Sequence, residues 1–121
     1  MMVLLRTLAV IFAAVSLGAC TKNSTPTVPA AKTGGVIIDV RSAEEYNSGH
    51  LQGAINIPHN EIAGKISSFV PEKSTNIKLY CRSGRRVKIA MEALQKQGYK
   101  NLEDFGGIDE ARKKLALPII Q

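Results

Sequence analysis

The 121-residue chain has no tryptophan, only three tyrosines and three phenylalanines, two cysteines and two histidines. The histidines, His50 and His59, stand nine residues apart. That is no metal-ligand spacing, so neither a metal nor another cofactor is expected. No apolar run approaches the roughly 20 residues that cross a bilayer, and no internal repeat is present. Lysine and arginine outnumber the acids sixteen to ten. Such a balance is compatible with nucleic acid, an anionic membrane surface or small anionic substrates. With aromatics at 5%, no basic stripe is interleaved with stacking side chains and no nucleic-acid motif occurs, which sets nucleic acid aside.

What is present first is a short basic start, Met1 to Arg6, and an apolar run from Leu8 to Ala19 broken only by Ser16 and Gly18. The run has the length and small-residue ending of an export signal over residues 1–19. Its end, LGAC from Leu17 to Cys20, resembles the bacterial lipoprotein signal, in which the cysteine becomes an acylated N-terminus. Ordinary cleavage near Ala19 is the alternative. Two acyl chains give stable anchoring where one gives marginal binding. The expectation is therefore an exported, periplasmic, membrane-anchored lipoprotein with Cys20 lipidated. Thr21, where an aspartate would retain a lipoprotein in the inner membrane, points to the outer one. Residues 20–33, rich in Ser, Thr, Pro and Ala, read as a tether. Residues 34–121 then form a single domain, expected to be a monomer. Removal or acylation of Cys20 leaves Cys81 unpaired, and an unpaired thiol in an oxidising compartment suggests reactivity.

Within the domain, apolar runs alternate with helical patterns. VIIDV (36–40) is a run of mostly β-branched residues suited to a buried strand. Ser42 and Glu45 form a capping box that opens a short helix stopped near Gly49. AINIP (54–58) is a second strand closed by its proline; Ile62, Ile66, Phe69 and Val70 line one face of a helix ended by Pro71. IKLY (77–80) is a third strand. Val87, Ala90, Met91 and Leu94 mark another helix with Gly98 as its stop. Residues 101–105 read as a fourth strand and 108–115 as a last helix. This alternation predicts an α/β fold, a small parallel sheet of four to five strands with helices on both faces.

The stretch YCRSGRR (80–86) then lies where a strand ends and a helix begins, the position at which open α/β sheets bind ligands. Gly84 permits a tight turn. Successive N–H groups in such a turn, the helix N-terminus, and Arg82, Arg85 and Arg86 together make an anion-attracting surround in which thiolate is favoured over thiol. A lone cysteine at a strand end is more often core packing. The loop sequence around this one reverses the reading, making Cys81 a candidate nucleophile.

Three pieces, IDVRSAEEYNSGHLQGAINIP (38–58), YCRSGRR (80–86) and Gly106–Gly107 before the last helix, closely resemble the rhodanese domain in order and spacing. The short form behind an export signal is similar to the single-domain periplasmic thiosulfate sulfurtransferases. The resemblance implies that Cys81 is the catalytic cysteine, carrying sulfane sulfur from thiosulfate to cyanide or a thiol as a persulfide. It makes Arg82, Ser83, Gly84, Arg85, Arg86 and Val87 the substrate-binding loop. Arg82 and Arg86 are favoured for contact with the anionic oxygens. Asp39 and Arg41 are expected to be structural, with Arg41 paired to Glu45 where the cap leaves that carboxylate free. His50 is likewise a structural hydrogen-bonding residue, and His59 a helix-capping or surface one. Two departures stand out: Val87 replaces the family's common Ser or Thr, and the usual strand and helix before the first motif are missing. The rival readings are a phosphatase or arsenate reductase and a non-catalytic persulfide-binding module. Phosphatases of this fold use Cys-x5-Arg, whereas Cys81 and Arg86 enclose four residues, a ring better suited to sulfur than to phosphate.

Overall fold

The computed structural model describes residues 34–121. The export signal, the Cys20 lipidation site and the tether all lie outside the described residues. Ten elements follow one another: β1 (Val36–Asp39), α1 (Ala43–Ser48), β2 (His50–Leu51), β3 (Ile55–Asn56), α2 (Ile62–Phe69), β4 (Ile77–Cys81), α3 (Arg85–Lys96), β5 (Leu102–Gly107), α4 (Ile108–Leu115) and β6 (Ile119–Ile120). Four of the strands form an all-parallel sheet in the order β3-β1-β4-β5. The α/β architecture read from the sequence is the one observed, with four strands in the main sheet.

β4 runs through the middle, and all five of its residues are buried. Side chains alternate across a strand, so the sheet feeds two cores. On one side Ile38, Val40, Leu79 and Cys81 pack with Ile62 and Ile66 of α2 and Val87, Ala90 and Leu94 of α3. On the other, Ile37 and Tyr80 pack with Leu51, Ala54 and the α4 residues Ala111 and Leu115. Each fully buried Ile, Leu or Val contributes about 1.5–3 kcal/mol, which is why so small a sheet holds.

The local signals act as their chemistry requires. Ser42 Oγ accepts from the Glu45 N–H at 3.3 Å and the Glu45 carboxylate accepts from the Ser42 N–H at 3.1 Å, closing the capping box. The expected strand over residues 54–58 shrinks to Ile55–Asn56. The Asn56 amide turns inward and donates to the carbonyls of Asp39 and Arg41, at 3.0 and 2.9 Å, tying the edge to the end of β1. The fourth strand extends through Gly107, taking in both glycines of the GG pair. An element absent from the sequence reading is β6, which pairs antiparallel with β2 in a separate two-stranded sheet. His59 does not cap α2; Glu61 occupies that position and makes no side-chain cap bond.

Candidate functional site

Cys81 is the last residue of β4 and α3 begins four residues later, so the chain must reverse within Arg82–Gly84. Gly84 makes this possible at φ 89°, a left-handed conformation that costs a side-chain-bearing residue but not glycine. The turn aims the Gly84 N–H at the sulfur, donating to Cys81 Sγ at 2.8 Å. Cys81 is a free thiol with no exposed surface. Behind the loop, Gly107 pairs with Cys81 in the sheet, after a register irregularity between Leu79 and Cys81. A Cβ on Gly107 would collide with the Arg82 carbonyl. The second glycine of the GG pair therefore exists to let the cysteine loop lie against β5.

α3 starts on this loop without a capping side chain and without an acid in its first turn. The first N–H groups of a helix have no intrahelical partner, so this 12-residue helix presents open donors and the positive end of its dipole beside the sulfur. Arg82, Ser83 and Arg85 are exposed and Arg86 is half-buried, whereas Val87 is buried in the core. The Val87 side chain thus faces away from solvent, and only its backbone belongs to the loop.

Arg86 has a partner that the sequence reading assigned elsewhere. Its two terminal nitrogens donate to the two oxygens of Glu45 at 2.7 and 3.0 Å, and Arg82 Nε lies 3.5 Å from the same carboxylate. The expected Arg41–Glu45 pair does not form. Arg41 is instead turned back on Asp39, donating through Nε at 3.0 Å to each carboxylate oxygen and through a terminal nitrogen at 2.7 Å. The reason is geometric, since only two residues separate Asp39 from Arg41 and both are buried at the end of β1. Hydrogen bonds from Arg86 are the main cause holding the Glu45 carboxyl down at about 2, against the opposing effect of burial. In return the hydrogen bonds and charge of Glu45 raise the Arg86 guanidinium, against the opposing effect of burial.

Arg41 also donates to the Gly49 carbonyl at 2.6 Å, pinning the end of α1 to β1. Burial alone would lower the Arg41 pKa, but its bonds and charge interaction with Asp39 outweigh this and raise it. His50 stacks on Tyr46 at 3.6 Å between ring centroids, and its Nδ1 lies 2.9 Å from the Tyr46 carbonyl, which fixes the proton on that nitrogen. The Tyr80 hydroxyl, buried between the layers, accepts from the Leu51 N–H at 3.0 Å. Asp39, Arg41 and His50 thus join α1, β1 and β2 into the platform from which Glu45 reaches the cysteine loop.

A cleft of about 380 Å³ opens next to this platform, lined by Ser42–Glu44, Pro58–Glu61 and Arg86. It lies at the carboxyl ends of β1 and β3, where α/β folds bind ligands. A larger opening of about 610 Å³, at Lys73, Ser74, Gly98, Lys100 and Asn101, lies at the opposite ends of the strands. Size does not favour it, because among the described residues neither the cysteine nor a helix N-terminus lines it.

Residues 28–113 match the family described as the rhodanese-like domain. The chain belongs to that family. It is 42% identical over 84 residues to the thiosulfate sulfurtransferase PspE of Escherichia coli strain K12, covering 69% of this chain and 77% of that protein. It is 36% identical over 83 residues to a putative mitochondrial thiosulfate sulfurtransferase of Schizosaccharomyces pombe, covering 60% of this chain and 58% of that one. Among solved structures, a rhodanese with anions from E. coli superposes with a TM-score of 0.64 at 40% identity, over 71% of this chain and 96% of the other. A rhodanese-like domain from Anabaena does so with the same score at 29% identity, over 72% and 99%. The last loop arginine, Arg86, is tied to Glu45. Sequence reasoning missed that tie because Ser42-x-x-Glu45 already gave the carboxylate a complete local role.

Proposed function

We propose that this rhodanese-like domain is a thiosulfate sulfurtransferase with Cys81 as its nucleophile. The observation that carries the reading is the junction at which the Gly84 N–H meets the Cys81 sulfur beside an uncapped helix N-terminus. The likeness to PspE, named a thiosulfate sulfurtransferase, supports it. The E. coli solved structure is described as containing anions, and an anion is what this junction is built to take.

The chemistry is a double displacement. The Cys81 sulfur attacks the outer, sulfane sulfur of thiosulfate. A Cys81–S–S⁻ bond forms, the bond to the oxidised sulfur breaks, and its electron pair leaves with sulfite. A thiolate or cyanide then attacks the terminal sulfur, taking it as a persulfide or thiocyanate and returning the Cys81 thiolate. Neither half-reaction needs an external oxidant or a general base. The loop's task is electrostatic: N–H groups and guanidinium groups offset the charge on the leaving sulfite and on the stored persulfide. Arg82, Arg85 and Arg86 supply the cations, and the backbone from Arg82 to Val87 supplies the donors. Asp39, Arg41 and His50 are structural supports. The N-terminal residues add an export signal and lipid attachment at Cys20, which would hold the domain at a membrane as a monomer facing the periplasm.

Steady-state kinetics check the reaction class. Varying thiosulfate against cyanide is expected to give the parallel double-reciprocal lines of a ping-pong route, with no comparable turnover of an aryl phosphate. Intersecting lines, or phosphate hydrolysis at a matching rate, would reject it.

A further inference from the structure

Glu45 carries more contacts than a helix cap needs. Its carboxylate accepts from the backbone N–H and hydroxyl of Ser42 at 3.1 and 3.2 Å and from two nitrogens of Arg86 at 2.7 and 3.0 Å, with Arg82 Nε at 3.5 Å. Arg82 and Arg86 stand at the two ends of the loop that surrounds Cys81, so one carboxylate bridges the loop from end to end. The end-on, two-point pairing with Arg86 is the arrangement by which a guanidinium grips an oxyanion. Glu45 thus holds the edge of Arg86 that a sulfonate group would use. Cys81 has no exposed surface, and the bridge spans the loop that covers it.

We propose that Glu45 is an internal anion that competes with the donor for Arg86, so that donor binding and sulfite release are each an exchange of one anion for another on the same guanidinium. The identity of the donor rests on the thiosulfate reading above; the competition itself concerns any oxyanion at the loop. When the donor enters, Arg86 turns its fork from the carboxylate to the oxyanion. After the outer sulfur has moved to Cys81, the carboxylate takes the fork back and sulfite is released. The cleft lined by Glu44, Glu61 and Arg86 gives the displaced partner room beside the loop. With Arg86 on it the carboxyl is held down at about 2, and released from Arg86 it returns toward the ordinary carboxylate range, so the competitor is charged at neutral pH with or without its partner. It sets a constant discount on anion affinity and does not act as a pH switch.

Glu45→Gln separates competition from folding, because glutamine still closes a capping box but brings no charge to Arg86. Freeing the Arg86 fork from a charged competitor is expected to tighten a doubly charged oxyanion about 3- to 10-fold, the scale of a charge-assisted pair in a solvent-screened mouth. The KM for thiosulfate and the Kd of sulfite, measured by calorimetry at pH 8, should both fall by that factor. A monoanionic thiosulfonate donor should gain less. In an Arg86→Gln background the same Glu45→Gln change should move the sulfite Kd less than about 2-fold, since the contested fork is gone. An unchanged or weakened sulfite Kd in a Glu45→Gln protein that melts within a few degrees of wild type would overturn the proposal. Sulfite binding is read without turnover. A wild-type protein inactive on thiosulfate would therefore defeat the functional reading while leaving the competition to stand or fall on its own result.

Discussion

Cys81→Ser is expected to lower sulfur transfer from thiosulfate by at least about 10³-fold, the scale of loss when a covalent nucleophile is removed. Serine is close in volume, and the Gly84 N–H that meets the sulfur at 2.8 Å can donate to a hydroxyl, so the loop keeps its shape. What is lost is chemical. A serine hydroxyl stays protonated at neutral pH, and no base stands by to activate it in the proposed route. The anion-binding half of the site remains, so the variant should still bind sulfite while turning nothing over. Parallel assays of turnover and sulfite affinity separate these. Residual transfer within about 10-fold of wild type would mean that the sulfur is carried elsewhere.

Arg41→Ala has the largest expected effect on stability. Asp39 is wholly buried and its carboxylate is held by four hydrogen bonds, one from the Arg41 backbone and three from its guanidinium. Removing the guanidinium strands a charge inside the protein and frees the Gly49 carbonyl as well. Breaking a buried pair in this way costs about 3–5 kcal/mol. For a domain of this size each kcal/mol lowers the melting temperature by about 4–8 °C, so a drop of at least about 12 °C should appear in thermal unfolding. Arg41→Lys should recover only part of it, because one ammonium cannot replace a planar fork that meets both carboxylate oxygens and a carbonyl. A change of less than about 1 kcal/mol would show that the pair does not stabilise the platform.

The parts of the fold that were legible in the sequence are those with a local or periodic signal. The β-branched run at 36–40, the Ser42–Glu45 box and the apolar stripe from Val87 to Leu94 each state their own conformation, and the structure follows them to within a residue or two. The parts that were not legible depend on pairing across distance. β6 is two residues of half-exposed isoleucine whose strand character comes from β2, about seventy positions earlier in the chain. Gly107 looks like any turn glycine until the Arg82 carbonyl is found against it. At the site, the sequence marked the cysteine, the turn glycine and the arginines, because their order is itself a chemical pattern. It did not say which carboxylate meets which arginine. Arg41 had two acids within reach, Asp39 and Glu45, and the choice was made by burial at the end of β1, which no spacing reveals.

The measurement that bears most directly on this account is a mass spectrum of the intact protein, and of its Cys81 peptide, taken after brief exposure to thiosulfate and again after cyanide. The expected result is the gain of one sulfur atom on Cys81, released quantitatively by cyanide. A Cys81 that stays unmodified while sulfite and thiocyanate accumulate would contradict it.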